Sequence, residues 1–221
     1  LPKARAGLRL GHGQVIDHMF LDGLEDAYDK GRLMGTFAED AAEAYQFTRK
    51  EQDDYAVASL TRALGAQKGD ALAAEIVPVE VATRKGSVTV SRDEQPGKAD
   101  AAKIPTLKPA FRAGGTVTAA NSSSISDGAA ALVLGRESGA EKRGLTPLAR
   151  IVATSQFAGE PAKFTSAPVE AIRRVLDTAE WQLSDVDLFE VNEAFAVVPM
   201  IAMRELGIPL DIMNVHGGAC A

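Results

Sequence analysis

Val186-Asp187-Leu188-Phe189-Glu190-Val191, then Asn192-Glu193-Ala194-Phe195-Ala196, then Ile212-Met213-Asn214-Val215 is the stretch that decides the fold. The first run alternates and is rich in β-branched and aromatic residues, as a strand requires. Glu193 to Leu206 repeats its apolar residues at helical spacing, and Ile212 to Val215 reads as a second short strand. Strand, helix, strand in that order implies a right-handed βαβ unit and a parallel sheet, hence an α/β class. Asn192-Glu193 falls where the strand ends and the helix begins. Ligands of such sheets bind outside the carboxyl ends of strands, so a polar pair here can reach a substrate. A carboxamide donates to an oxyanion or water without titrating; equally, Asn is a preferred helix N-cap. Both readings stand at this point.

Working outward, Pro168 fits the first turn of a helix whose face carries Val169, Ile172, Val175, Leu176 and Ala179. Leu148 to Ala153 reads as a strand, and Glu137 to Arg143 as a short polar helix stopped by Gly144 and Pro147. Ala129 to Leu134 is an aliphatic run suited to a strand buried on both faces. Thr116 to Ala119 is strand-like and leads into Asn121-Ser122-Ser123-Ser124, a polar cluster that serves either a ligand or an ordinary turn. Ser91 to Gly115 is a long charged loop with Pro96, Pro105 and Pro109. Ile76 to Val81 and Val88 to Val90 form a hairpin with Pro78 on an edge. Thr48-Arg49-Lys50-Glu51 is a capping box that opens a helix through Leu64, and Ile16 to Tyr28 has helical spacing.

The chain has 221 residues, 24 Lys+Arg against 30 Asp+Glu, 46% hydrophobic and 24% charged residues, three His and one Cys. That composition belongs to a globular protein with a sizeable core and excludes general disorder. No apolar run is long enough to span a membrane, and net charge −6 argues against nucleic acid. One cysteine cannot make an intrachain disulfide, which fits a reducing, cytoplasmic setting. The histidines have no metal-ligand spacing. Cys220 has no local His to activate it and reads as a small core residue. The chain opens Leu1-Pro2-Lys3 and closes on Gly217-Gly218-Ala219-Cys220-Ala221, which suggests a piece of something longer.

Several segments, in order, resemble one family. They are Met34-Gly35-Thr36 with Ala38-Glu39; Glu51-Gln52-Asp53 with Ala56-Val57-Ala58-Ser59; Leu107-Lys108-Pro109-Ala110-Phe111; and Gly115-Thr116-Val117-Thr118-Ala119-Ala120-Asn121-Ser122-Ser123. Ser126-Asp127-Gly128-Ala129-Ala130-Ala131, Asn192-Glu193-Ala194-Phe195-Ala196 and Asn214-Val215-His216-Gly217-Gly218-Ala219 complete the set. Together they are similar to the thiolases, acetyl-CoA acetyltransferases and 3-ketoacyl-CoA thiolases. The resemblance implies a thiolase-like α/β fold of βαβ-built mixed sheets with helices on both faces, and an inserted loop domain. Residues 1–124 would be that loop domain with the end of the N-terminal half, 125–146 the return strand and helix, and 147–221 the start of the C-terminal half.

It also implies acyl transfer between coenzyme A and an enzyme Cys, with carbon–carbon bond cleavage or formation in a 3-oxoacyl-CoA such as acetoacetyl-CoA. Acyl-CoA and CoA would be the partners, no cofactor or metal would be bound, and the intact protein would be a homodimer or homotetramer. By the family pattern the nucleophilic Cys lies before Leu1, and the Gly-His-Pro and Cys-x-Gly motifs after Ala221, so the chain alone is expected to be inactive. Asn192 matches the Asn that positions an oxyanion-hole water. Ala194 and Phe195 match positions lining the pantetheine and acyl tunnel, Leu24 and Met34 match residues around the thioester and pantetheine, and Ala119 and Ser123 lie along the pantetheine arm. Many biosynthetic members carry a His where this chain has Leu33. Lys98, Lys103 and Lys108 are phosphate neighbours by charge. Two rival readings are a non-catalytic CoA-binding or assembly module and a thiolase-like lipid-transfer or condensing homologue.

Overall fold

Helix α1, Met34–Ala44, starts after an extended Leu33 and turns Phe37, Ala38 and Ala42 inward. Helix α2, Arg49–Lys68, opens on the expected capping box: Thr48 Oγ1 accepts from Glu51 N, and Thr48 N donates to Glu51 Oε2 at 2.7 Å. Its buried residues Gln52, Tyr55, Ala56, Ser59 and Leu60 recur every three or four positions, so one face meets the core. Thr48→Ala removes one of the paired caps and is expected to lower the unfolding free energy by about 1 kcal/mol, read by urea denaturation.

The hairpin pairs β1, Val79–Thr83, with β2, Gly86–Val90, antiparallel in the register Val79↔Val90 and Val81↔Val88. Helix α3, Gln95–Lys98, and a 3-10 turn, Ala101–Thr106, give the long Pro-containing loop an ordered path. Arg49 pins that turn to α2, donating to the carbonyls of Ile104 at 3.0 Å and Leu107 at 2.9 Å. Helix α4, Glu137–Glu141, and helix α5, Ala167–Ala179 with Pro168 in its first turn, follow the sequence reading. Helix α6, Val197–Leu206, has Val197 through Ala202 buried and stops at Gly207, whose φ of +71 is left-handed. One cluster joins α1, α2, α5 and α6 with Phe189, Val191, Phe195 and Met213.

This computed structural model describes Gly7 and residues 10–221; Leu1-Pro2-Lys3, and with them the first part of the 1–124 segment, lie outside the described residues. Several sequence expectations change. The 16–28 stretch narrows to one π-helical turn, Phe20–Leu24, with no buried residue to hold a longer helix. Thr116 to Ala119 is not a strand: Thr118 caps a 3-10 turn, Ala119–Asn121. Ala129 to Leu134 and Leu148 to Ala153 form no ladder, and Val133 is 99% and Leu148 101% exposed. Strands exist only as pairs, and among the described residues none lies beside these runs. Of the two strands around α6, only a parallel bridge between Phe189 and Met213 forms. The helix itself begins at Val197 rather than Glu193.

Candidate functional site

The bridge at Phe189 sets the site. Phe189 N donates to Ile212 O and Asn214 N to Phe189 O, each at 2.8 Å. Beyond it the parallel pairing is continued by a side chain. Asn214 Oδ1 accepts from Val191 N and Asn214 Nδ2 donates to Val191 O, both at 2.8 Å. Asn214 sits at φ +47, a left-handed conformation that Asn tolerates better than most residues. The turn that follows carries Asn192 outward and Glu193 inward.

Glu193 is 1% exposed. Its Oε1 accepts from Tyr55 Oη at 2.8 Å and Asn214 Nδ2 at 2.9 Å, and its Oε2 from Ser59 Oγ at 2.8 Å and Cys220 N at 2.9 Å. Ser59 Oγ in turn accepts from Gly218 N. The glycines are demanded by this closeness: a Cβ on Gly218 would fall 2.4 Å from the Glu193 carboxyl carbon, and one on Gly217 would fall 2.5 Å from the Ser59 carbonyl oxygen. Burial and the adjacent carboxylate push the Tyr55 hydroxyl far above the usual phenol range, so it remains a donor. The same two causes raise the Cys220 thiol well above its ordinary value. Cys220 is thus the core residue its sequence setting suggests. It is expected to resist Ellman's reagent at pH 8 in the folded chain and to react when urea unfolds it; prompt reaction in the native state would contradict this burial.

On the other side of the turn, Ser123 N donates to Ala194 O at 3.1 Å and Ala196 N to Asn121 O at 2.9 Å. Asn121 is buried and closes a reciprocal cap with Thr118. These bonds bring the 118–124 segment against the 192–196 turn. A cleft of about 310 Å³ opens beside it, with Ala119, Ala120, Ser122 and Ser124 on one wall, Ala219 to Ala221 on another and Leu60, Ile104 and Leu107 behind. Lys98, Asp100 and Lys103 line it as well, with Lys98 paired to Glu94 at 2.5 Å and Lys103 to Asp100 at 3.4 Å. A larger cavity, about 660 Å³, lies at the far end of α2 between Leu72, Ile76, Arg92 and His216 and holds none of the expected residues.

Of the residues singled out from the sequence, Ala119 lines the cleft, and Ser123 lies between two residues that do. Phe195 is buried, with its ring 6.0 Å from that of Phe111 and 6.4 Å from that of Phe164; Met34 and Ala194 pack against the same cluster. Leu24 is half-buried in the π-turn. Asn192 is exposed, makes no hydrogen bond among the described residues, and does not cap α6, whose N-cap is Ala196. Sequence reading placed Glu193 only as half of a polar pair; the signal was a carboxylate amid Val191, Ala194, Phe195 and Ala196. Among the described residues no group of three His, Cys, Asp or Glu side chains could hold a metal ion, and no helix is long and apolar enough to cross a membrane.

A small-residue cleft with Lys98, Lys103 and Asp100 in its lining, set against a turn at the end of a parallel pairing, lies where ligands of α/β proteins bind. The chain belongs to the thiolase family: residues 1–138 match the family model for the thiolase N-terminal domain and 145–221 that for the C-terminal domain. It is 50% identical to acetyl-CoA acetyltransferase 2 of Arabidopsis thaliana over 99% of this chain and 55% of that protein. With the acetyl-CoA acetyltransferase of Escherichia coli K12 it shares 46% identity over 99% of this chain and 56% of that one. The crystal structure of the Bacillus anthracis acetyl-CoA acetyltransferase superposes with a TM-score of 0.92 at 41% identity, covering 98% of this chain and 55% of that one. A thiolase from Ascaris suum, solved in complex with coenzyme A, gives 0.90 at 36% identity, covering 98% and 56%. The fold is therefore thiolase-like α/β, and the chain spans about half the length of the curated relatives it matches.

Proposed function

We propose that these residues form the substrate-cradling part of an acetyl-CoA C-acyltransferase, which cleaves or makes a 3-oxoacyl-CoA such as acetoacetyl-CoA through an acyl-Cys intermediate. The observation that carries this reading is the cleft: Ala119 on its wall, Ser123 beside it and two lysines in its lining, which would exchange their Glu94 and Asp100 partners for phosphate, suit a pantetheine arm leading to phosphates. Small side chains leave width for the arm. Ser123 offers its hydroxyl to a pantetheine amide, and Lys98 and Lys103 offset phosphate charge. Phe195, Ala194, Met34 and Leu24 supply the apolar surroundings of the acyl end, and CoA acts as substrate with no bound cofactor.

In this reading a cysteine thiolate outside these residues attacks the 3-oxo carbonyl; the C2–C3 bond breaks, leaving an acyl-Cys and the enolate of acetyl-CoA, which takes up a proton. The thiol of a second CoA then loses its proton and accepts the acyl group to free the cysteine. Cys220 is excluded as that nucleophile by its raised thiol and enclosure. The carboxamide of Asn192 is free to orient a water toward the thioester oxygen, and stabilises it as charge develops there. Two or four copies in the cytoplasm complete the proposal; exposed Leu10, Val15 and Ile16 offer apolar surface for association.

The test is CoA-dependent cleavage of acetoacetyl-CoA to acetyl-CoA by the full-length gene product, which is expected to proceed. The 221-residue chain alone is expected to bind CoA without turnover, and Lys98→Ala with Lys103→Ala to weaken that binding. Absence of cleavage by the full-length product, with CoA still bound, would favour a non-catalytic CoA-binding module instead.

A further inference from the structure

We infer that Glu193, with Asn214 and Tyr55, is a positioning device that holds Asn192 and the Ala219–Ala221 wall of the cleft in one fixed relation. The inference rests on the acyl-transfer reading for what Asn192 does, but not for how Asn192 is held.

The geometry is unusual for a residue that only fills a core. Glu193 is enclosed, yet its four donors are all neutral: a phenol, a carboxamide, a hydroxyl and a backbone amide. A buried carboxylate without a cation is costly to desolvate, and an apolar residue of similar size would satisfy packing with less penalty. What the carboxylate provides is direction. Oε1 ties the turn to α2 through Tyr55 and to Asn214, while Oε2 ties it to α2 through Ser59 and to the cleft wall through Cys220 N. Asn214 then holds both backbone polar groups of Val191. The residues on each side of Asn192 are therefore fixed by side chains, and Ala194 is fixed by Ser123 N. Only Asn192 is left to face outward.

The same oxygen that anchors Cys220 N thus sets the cleft wall, so the place of the ligand and the place of the carboxamide share one support. A supporting group of this kind governs how closely a reacting atom meets its stabilising donor, which is where small displacements cost rate. Glu193 itself has no opening toward a ligand, so it neither donates nor removes a proton in the reaction.

The experiment has two arms. In the first, hydrogen exchange is followed in the 221-residue chain, wild type against Tyr55→Phe and Asn214→Asp. Tyr55→Phe removes one hydroxyl and keeps the buried ring; Asn214→Asp places a carboxylate against Glu193. Both are expected to speed exchange in the 189–196 segment by about tenfold or more while α6 stays protected. Unchanged exchange there in both variants overturns the inference.

In the second arm, the full-length gene product carrying Tyr55→Phe is expected to lose about tenfold in kcat on acetoacetyl-CoA with KM within about twofold. Tyr55→Phe combined with Asn192→Ala is expected to turn over no slower than Asn192→Ala alone, because the support acts through that carboxamide. Losses that multiply independently overturn the inference. If the wild-type product cleaves no acetoacetyl-CoA, the acyl-transfer reading falls, and the exchange arm alone decides whether the turn is held as described.

Discussion

Glu39→Ala is expected to lower the unfolding free energy of the chain by about 3 kcal/mol, one of the largest stability losses any single side chain here should give. Glu39 lies on α1 and is 3% exposed. Its carboxylate accepts from Thr116 N at 2.9 Å and 3.0 Å and from Val117 N at 2.9 Å, with Thr116 Oγ1 at 3.2 Å. Removing it leaves the backbone amides of Thr116 and Val117 without their acceptor, and Val117 is itself fully enclosed. Gly115 closes the site so tightly that a Cβ there would fall 2.1 Å from Glu39 Oε1. The loss should also reach the cleft. Gln52 Nε2 donates to Thr116 Oγ1, and Thr116 O accepts from the Asn121 amide that ends the 3-10 turn carrying Ala119. Urea midpoints for the wild type, Glu39→Ala and Glu39→Gln would check this. Glu39→Gln should cost less, since it keeps one acceptor oxygen and the volume. An alanine variant within about 1 kcal/mol of wild type would show that water or a local shift replaces the carboxylate.

Glu39 and Glu193 also explain which parts of the molecule could be read from its sequence. The capping box at Thr48, the hairpin from Val79 to Val90 and the α5 face from Val169 to Ala179 depend on neighbours a few residues away, so their pattern is local. Asn192 is legible because it follows a strand-like run. Glu193 is not, because Tyr55 and Ser59 lie 138 and 134 residues earlier and nothing in the intervening spacing links them. Glu39 is legible only as part of a motif, its partners being 77 and 78 residues away. The runs at Ala129 to Leu134 and Leu148 to Ala153 have the composition of strands, but a strand also needs an adjacent backbone, which composition does not supply. Conversely, Thr116 to Ala119 looked like a strand because its Thr and Val favour one. Instead Asn121 Oδ1 accepts from Thr118 N and Thr118 Oγ1 accepts from Ala120 N, and that local exchange wins.

Asn192→Ala in the full-length gene product is expected to cut kcat on acetoacetyl-CoA by about 10²- to 10³-fold while leaving KM nearly unchanged. A donor that meets charge only as it develops on the thioester oxygen lowers the barrier without tightening ground-state binding. The local alternative, that Asn192 caps a helix, makes the opposite prediction, a loss of stability without a specific loss of rate. The two are separable because Ala196, not Asn192, stands at the start of α6, and the Asn192 side chain has no partner among the described residues. Truncating it therefore leaves no buried donor or acceptor behind, and the urea midpoint of the 221-residue chain should move by less than about 0.5 kcal/mol equivalent. Asn192→Asp sharpens the test. It preserves size and reach but replaces the amide donor with an anion beside a developing oxyanion, so its turnover should fall at least as far as that of Asn192→Ala at neutral pH. Turnover retained in both variants would remove Asn192 from the reaction, and the support beneath it would then serve only to shape the cleft wall at Cys220.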